Sequence, residues 1–133
     1  MGSMDDMDKD ESLNVYGEPL QSCSKEKEPV TGFFRDGKCN TCKEDLGSHT
    51  VCVKVNSDFL EFSRSRGNDL STPMPQFGFA GLKPGDSWCL CAARWLEAYE
   101  HDMAPRVHMT RTHIRALEVV PLKQLKKFAA DLN

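Results

Sequence analysis

Hydrophobic and polar positions divide the chain into short periodic segments separated by long polar stretches. The clearest segment covers residues 50–55, where Val51, Cys52, Val53 and Val55 form a nearly continuous apolar run. A short run of β-branched residues predicts an inner strand with both faces covered. A second strand is predicted over residues 87–91, after a Pro-Gly-Asp turn.

Helical periodicity appears in three places. Residues 58–66 predict a helix with Asp58 as its N-cap. Residues 92–102 are rich in good helix formers, and Pro105 prevents the helix from continuing. Pro121 opens an amphipathic terminal helix whose apolar positions are Leu122, Leu125, Phe128, Ala129 and Leu132.

The rest of the chain is predicted to form loops and short strands. Glycine and proline break any period in the segments 14–28, 31–48 and 67–81. Short strands are predicted at 107–109 and 117–120, with a turn or short helix over 113–116 between them. This uneven order predicts an α+β fold, a single compact domain with a small mixed sheet, about three helices and long ordered loops.

The first twelve residues differ from the rest in composition. Five acids face one lysine in residues 1–11, and the Met-Gly-Ser-Met start is typical of an expression-tag remnant. Such a segment has little to bury. We therefore predict a disordered acidic tail over residues 1–12 and one domain over residues 13–133.

Charge and hydropathy narrow the classes of protein. The net charge is −3, and the six Lys or Arg residues after residue 103 are scattered as on a solvated face, which disfavours nucleic-acid binding. No apolar run approaches the roughly 18 residues of a membrane span, and no signal-peptide core is present. The sequence predicts a soluble, cytoplasmic protein that does not bind membranes.

Six cysteines raise the questions of disulfides and metals. Without a secretion signal, reduced thiols are the expectation. Cys39 and Cys42 have the spacing of a zinc half-site or redox pair, which makes them weak metal-ligand candidates. A structural zinc site would need two more ligands. The only neighbours in sequence that could supply them are Cys23, His49 and Cys52. The sequence leaves the cofactor open.

A cysteine–histidine enzyme is one alternative function. The candidate thiols are Cys39, Cys89 and Cys91, and the candidate bases are His49 and His113. The carboxylates that could orient a base are Asp45 and Asp69. The preferred assignment makes Cys39 or Cys89 the nucleophile and His49 the base. It predicts a thiol that iodoacetamide alkylates well below pH 8.

Arginines concentrate near glycine-bounded turns. The run from Arg64 to Asp69, with Arg66 and Asn68, ends the first predicted helix and enters the next loop, and the planar fork of arginine suits carboxylate or phosphate. The alternative is that Asp69 accepts hydrogen bonds from loop amides while the arginines lie on the surface. Arg94 lies where a strand gives way to a helix, a position that favours pairing with a carboxylate or entry into a pocket.

Several distinctive stretches cover nearly all of the chain after the acidic segment. They are Asn14–Leu20, Thr31–Gly37, Asp45–Cys52, Phe59–Ser63, Arg66–Pro73, Gly81–Asp86, Trp88–Ala92 and Arg94–Trp95. These stretches resemble one family of small, mainly bacterial proteins, the domain of unknown function 2237. The chain departs from the usual family sequence at Cys42-Lys43, where Gly-Pro is typical, so the resemblance argues against a family metal site at Cys42. The resemblance implies no activity.

The leading hypothesis is a polar pocket that binds a small anionic ligand where three segments meet. These are the turn 45–49, the loop 66–73 and the segment 88–94. The predicted ligand-binding residues are Asp45, His49, Arg66, Asn68, Asp69, Trp88, Cys91, Arg94 and His113. A third alternative is a protein-interaction module with Phe77 and Phe79 as exposed anchors. The sequence leaves the oligomeric state open.

Overall fold

A computed structural model describes residues 9–24 and 30–130. Its regular elements, in chain order, are the strand β1 His49–Lys54, the helix α1 Ser57–Ser65, the strand β2 Ser87–Cys91, the helix α2 Ala92–Glu100, the strand β3 Arg106–Val107 and the helix α3 Leu122–Lys127. The three strands form an antiparallel sheet in the order β2-β1-β3. The α+β prediction is confirmed.

The central strand β1 has partners on both sides, which explains its sequence. Val51, Cys52 and Val53 are fully buried. A strand with neighbours on both edges and elements over both faces has no solvent side, so the apolar and polar positions do not alternate. The prediction of an inner strand is therefore confirmed.

Helix α1 is capped two residues earlier than the sequence predicted. Asn56, not Asp58, is the N-cap, and its side-chain oxygen accepts a 2.7 Å hydrogen bond from the Phe59 amide. Asn56 has the extended backbone that a cap requires. The predicted cap at Asp58 is wrong because Asp58 already lies in the first turn, where its charge favours the helix N-terminus.

Helix α2 is fixed to the core by Trp95. Its ring is fully buried, stacks on Tyr99 at 5.4 Å and meets Phe128 edge-on at 5.8 Å. The indole N–H donates to the carbonyl oxygen of Pro105 at 3.2 Å, so the one polar atom of the ring is satisfied. This packing fixes the direction in which the first turn of α2 projects.

The C-terminal third differs most from the sequence predictions. The predicted strand over residues 117–120 is wrong, because Ile114–Glu118 form a 3-10 helix capped by His113, whose Nδ1 accepts from the Arg115 amide. Strand β3 is shorter than predicted, and α3 ends at Lys127, with Phe128 and Ala129 packing on the core beyond it. Leu132 lies outside the described residues.

Residues 9–12 are attached to the body of the protein. The Asp10 carboxylate pairs with Arg115, and the Ser12 hydroxyl donates to Asn40. Asp10 and Ser12 thus have partners on the fold, and the boundary between an acidic tail and the domain stays a prediction. Residues 1–8, where the rest of the predicted disorder falls, lie outside the described residues.

Four of the six cysteines form two disulfide bonds, Cys23–Cys52 and Cys39–Cys89. The expectation of reduced thiols is wrong for these four. They come from distant parts of the chain and form a separate fully buried cluster beside the main core. A pairing across sequence separations of 29 and 50 residues leaves no local signal. The cytoplasmic location, which drew on the missing signal-peptide core and membrane span, stays a prediction.

Candidate functional site

One open cavity of about 620 Å³ lies at the end of the β1–β2 pair. Its walls come from the 30–39 loop, the start of β1, the residues after α1, the end of β2 and the first turn of α2. The lining residues are Gly32, Phe33, Arg35, His49, Asn68, Leu70, Trp88, Cys89, Leu90, Cys91 and Arg94. The size is that of pockets for small molecules.

The structure brings together a majority of the residues that the sequence suggested for ligand binding. Five of the nine line the cavity, and they come from the predicted segments: His49, Asn68, Trp88, Cys91 and Arg94. Asp45 does not line the cavity but lies directly behind His49.

Three predicted site residues have other partners. The Arg66 guanidinium pairs with Glu97 at 3.3 Å, outside the lining. Asp69 is exposed and accepts from the Thr72 hydroxyl and the amides of Ser71 and Thr72, and these bonds, the hydroxyl first, lower its pKa. This arrangement matches the alternative in which Asp69 holds the loop. His113 is fully buried elsewhere in the fold.

Arg35 is a lining residue that sequence reasoning missed. It lies over the Trp88 ring, with 5.7 Å between the guanidinium carbon and the ring centroid. Its backbone has φ of 56°, an unfavourable region for an arginine. The turn at Asp36-Gly37 predicted a loop here, but nothing in the sequence indicated that the loop folds over Trp88.

Asp45 holds the ring of His49 from the protein side. Its Oδ1 lies 2.7 Å from His49 Nδ1, and its Oδ2 accepts from the His49 amide at 2.9 Å and from the Thr41 hydroxyl at 2.9 Å. Burial alone would raise the pKa of Asp45, but these hydrogen bonds outweigh it and lower the pKa below its ordinary range. The buried carboxylate is therefore ionised at neutral pH and orients the imidazole.

A β-bulge brings His49 opposite Cys91. From Lys54 to Val51 the pairing with β2 is regular, and its continuation would place Thr50 across from Cys91. The register shifts at this point, so His49 is the partner of Cys91. Ser48, with φ of 49°, makes the preceding turn. Bulges of this kind re-aim side chains and are common beside functional sites.

Gly47 leaves space for the His49 ring. A Cβ atom built on Gly47 would lie 2.7 Å from the Cε1 atom of that ring, which is closer than such atoms can approach. The glycine backbone does not have positive φ, so its small size is what matters here. The ring therefore packs against the peptide of Gly47 on one side and hydrogen-bonds Asp45 at its Nδ1.

The state of the cysteines changes the enzymatic alternative. Cys39 and Cys89, its preferred nucleophiles, are bonded to each other and have no free thiol. Cys42 is free but buried, and burial raises the pKa of its thiol. All six cysteines belong to the described residues, and among them Cys91 alone is both free and partly exposed.

A metal could enter the sulfur cluster only after reduction. The sulfur atoms of Cys23, Cys39 and Cys89 lie within 4.8 Å of one another, near enough to share an ion. Zinc binds thiolates, and here all three sulfurs are held in disulfides. Cys42, the other half of the predicted pair, is not in this group.

The predicted aromatic anchors separate in the structure. Phe77 is 77% exposed, whereas Phe79 is half-buried against Trp88 with 5.5 Å between the ring centroids. Of the two rings proposed as anchors, only that of Phe77 is exposed. Binding to another protein through this surface stays a prediction.

His113 makes the stability of the fold depend on pH. Burial lowers its pKa below the ordinary value of 6.5, and the nearby charge of Arg115 acts in the same direction. As the pH falls, His113 therefore becomes protonated at a higher pH in the unfolded chain than in the folded protein. The stabilisation by the neutral ring is complete above about pH 6.5 and declines below it.

Urea unfolding followed from about pH 7 to pH 5 should show this decline. His113→Asn, which keeps a capping acceptor, should be less stable but nearly independent of pH in this window. His101→Asn removes an exposed imidazole and should retain the decline. A decline that persists in His113→Asn would contradict the assignment.

Comparison with known proteins identifies a family whose activity is uncharacterized. Residues 13–129 match the model of the family DUF2237, described as an uncharacterized protein conserved in bacteria. No curated protein matches the chain. In the part of the chain that the structure describes, every helix is too short or too polar to cross a membrane.

Proposed function

Since the chain belongs to the DUF2237 family, which carries no assigned activity, we propose a function from the cavity itself: it binds a small anionic molecule. The observation that carries the proposal is the charge of the lining. Arg35 and Arg94 both face the cavity, and none of the described lining residues is acidic. In a chain with net charge −3, such a surface favours anions over cations.

Arg94 is held in a position to bind an anion. Its Nη1 donates to the carbonyl oxygen of Arg66 at 3.1 Å and to Glu97 Oε1 at 3.3 Å. Glu97 also pairs with Arg66, so its negative charge is shared between two guanidiniums. The remaining N–H groups of Arg94 are suited to a carboxylate or phosphate, which arginine binds with two parallel hydrogen bonds.

The rest of the lining suits a compact ligand with a polar head and a flat or apolar body. Phe33 and Trp88 offer apolar surface, and Asn68 supplies an amide that can donate or accept. Arg35 is positioned over Trp88 by a cation–π contact, which limits its conformational freedom before a ligand arrives.

The test is a titration with inorganic phosphate and with succinate at constant ionic strength, followed by heteronuclear NMR. The amide signals of the lining residues should shift and saturate. Arg94→Gln and Arg35→Gln should each weaken binding about tenfold, the loss of one charged hydrogen-bond partner.

Lys54→Gln is the matched control, because it removes the same charge from an exposed position on β1 outside the lining. It should leave the affinity within about twofold of the parent protein. Equal affinities in all variants, or shifts centred away from the cavity, would contradict the proposal.

A further inference from the structure

We propose that Cys91, His49 and Asp45 are the nucleophile, the base and the orienting acid of a covalent acyl transfer on a small carboxylate-bearing ester, thioester or amide. The inference rests on the proposed function, since Arg35 and Arg94 would bind the carboxylate end of the substrate. It assigns the reacting thiol to Cys91, which the sequence offered only as one of three candidates.

The hydrogen bond to Asp45 defines the tautomer of His49. An ionised carboxylate 2.7 Å from Nδ1 requires a proton on that nitrogen, so Nε2 of the neutral ring carries the lone pair. The Asp45 side chain is fully buried, whereas that of His49 is 43% exposed and lines the cavity. The imidazole is thus fixed on its buried side and basic on its open side.

The fold places Cys91 across from this imidazole. His49 and Cys91 are partners across the bulge in the β1–β2 pairing, and both residues line the same cavity. Nucleophile and base thus come from neighbouring strands and border one open space.

Cys91 is also the N-cap residue of α2, a helix of nine residues. Its side chain makes no capping hydrogen bond. Backbone N–H groups of a first helical turn stabilise a nearby negative charge, so the start of α2 favours negative charge that develops beside Cys91 during a reaction. The helix end and the imidazole therefore both act at Cys91.

The reaction proceeds in two balanced steps. His49 Nε2 takes the thiol proton, the Cys91 sulfur bonds to the carbonyl carbon, and the bond to the leaving group breaks as His49 returns the proton to it. Water then attacks the thioester while His49 accepts a proton. The carbon–sulfur bond breaks, the acid leaves, and the thiol is restored.

Two alkylating agents test the thiol and the anion site separately. Without reductant at neutral pH, iodoacetate and iodoacetamide should both modify Cys91, located by peptide mass spectrometry, and iodoacetate should be favoured relative to its preference for a free cysteine peptide. His49→Gln should slow both reagents by about tenfold. Arg94→Gln should remove only the preference for iodoacetate.

These outcomes separate the two proposals. If the parent protein shows no preference for iodoacetate but His49→Gln is still alkylated more slowly than the parent, anion binding is overturned and the triad stands. Labelling of Cys91 as slow as that of buried Cys42, or unchanged in His49→Gln, would overturn the triad even if phosphate binds.

Turnover is measured with mono-4-nitrophenyl adipate and with 4-nitrophenyl hexanoate, a neutral ester of the same chain length. The parent protein should release nitrophenolate faster from the adipate and carry a thioester on Cys91 after acid quenching. Cys91→Ser and His49→Gln should lower the rate by about a hundredfold, whereas Lys54→Gln should leave it unchanged. Release without an adduct on Cys91 would overturn the proposal.

Gly47→Ala tests positioning without changing a reacting group. The added methyl group would displace the His49 ring from Asp45, because the two cannot occupy the same space. We expect slower turnover and a changed pH profile, with urea stability within about 1 kcal/mol of the parent. A parent-like rate and pH profile would show that the ring position does not matter, which would overturn the role of Asp45.

Discussion

Reduction of the two disulfide bonds lowers the expected free energy of unfolding by roughly 3–4 kcal/mol for each bond. The bonds close chain separations of 29 and 50 residues, and closing longer loops removes more entropy from the unfolded chain. Small domains have a total stability of about 5–15 kcal/mol. Reduction would therefore remove a large part of the stability and could unfold the protein at ambient temperature.

The measurement compares guanidinium unfolding of the oxidised protein with that of protein refolded in a phosphine reductant. A chelator in both samples prevents a metal from replacing the disulfides in the Cys23, Cys39 and Cys89 group. The variant with Cys23→Ser and Cys52→Ser keeps one disulfide, so reductant should destabilise it less than it destabilises the parent protein. Reductant should destabilise Cys42→Ala as much as the parent. Equal midpoints with and without reductant would contradict the crosslinked core.

Replacing Trp95 by alanine lowers the expected free energy of unfolding by about 3–5 kcal/mol. The ring is fully buried and packs against Tyr99 and Phe128, so its truncation leaves a cavity in the core. The truncation also leaves the carbonyl of Pro105 without its indole donor. Because α2 carries Arg94, the NMR signals of the cavity residues should shift as well.

Urea unfolding of three variants separates these contributions. Trp95→Phe keeps an aromatic ring but loses the donor, so its loss should be smaller than that of Trp95→Ala. Phe77→Ala removes an aromatic ring that is 77% exposed and should change stability by no more than about 0.5 kcal/mol. A loss for Trp95→Ala as small as that for Phe77→Ala would contradict the packing described for α2.

Local patterns predicted the regular elements well where one period dominates. The apolar run of β1 and the helix formers of α2 have a single interpretation, and the structure confirms both. Residues 117–120 were mistaken for a strand because four residues carry too little period to distinguish a strand from a 3-10 turn. His113, which caps the segment, and Pro121, which follows it, favour the 3-10 helix over a strand.

The candidate site was only partly accessible to sequence reasoning. Glycine-bounded polar segments pointed to His49, Asn68 and Arg94, because loops that approach a ligand need small residues and polar groups. The bulge that brings His49 opposite Cys91 involves one extra residue in one strand, which no composition or spacing reveals. The disulfide partner of Cys89 depends likewise on long-range folding, so the wrong thiols were preferred as nucleophiles.

The two disulfides, together with the chain between their ends, form a closed covalent ring. The ring runs from Cys23 to Cys39, crosses to Cys89, returns along the backbone to Cys52 and closes at Cys23. A protease that cuts a single peptide bond anywhere within it would open the ring without releasing a fragment. Nicked protein would migrate as one species on a gel until a thiol is added, and Arg35, Asn68 and Trp88 would remain tethered to the same molecule.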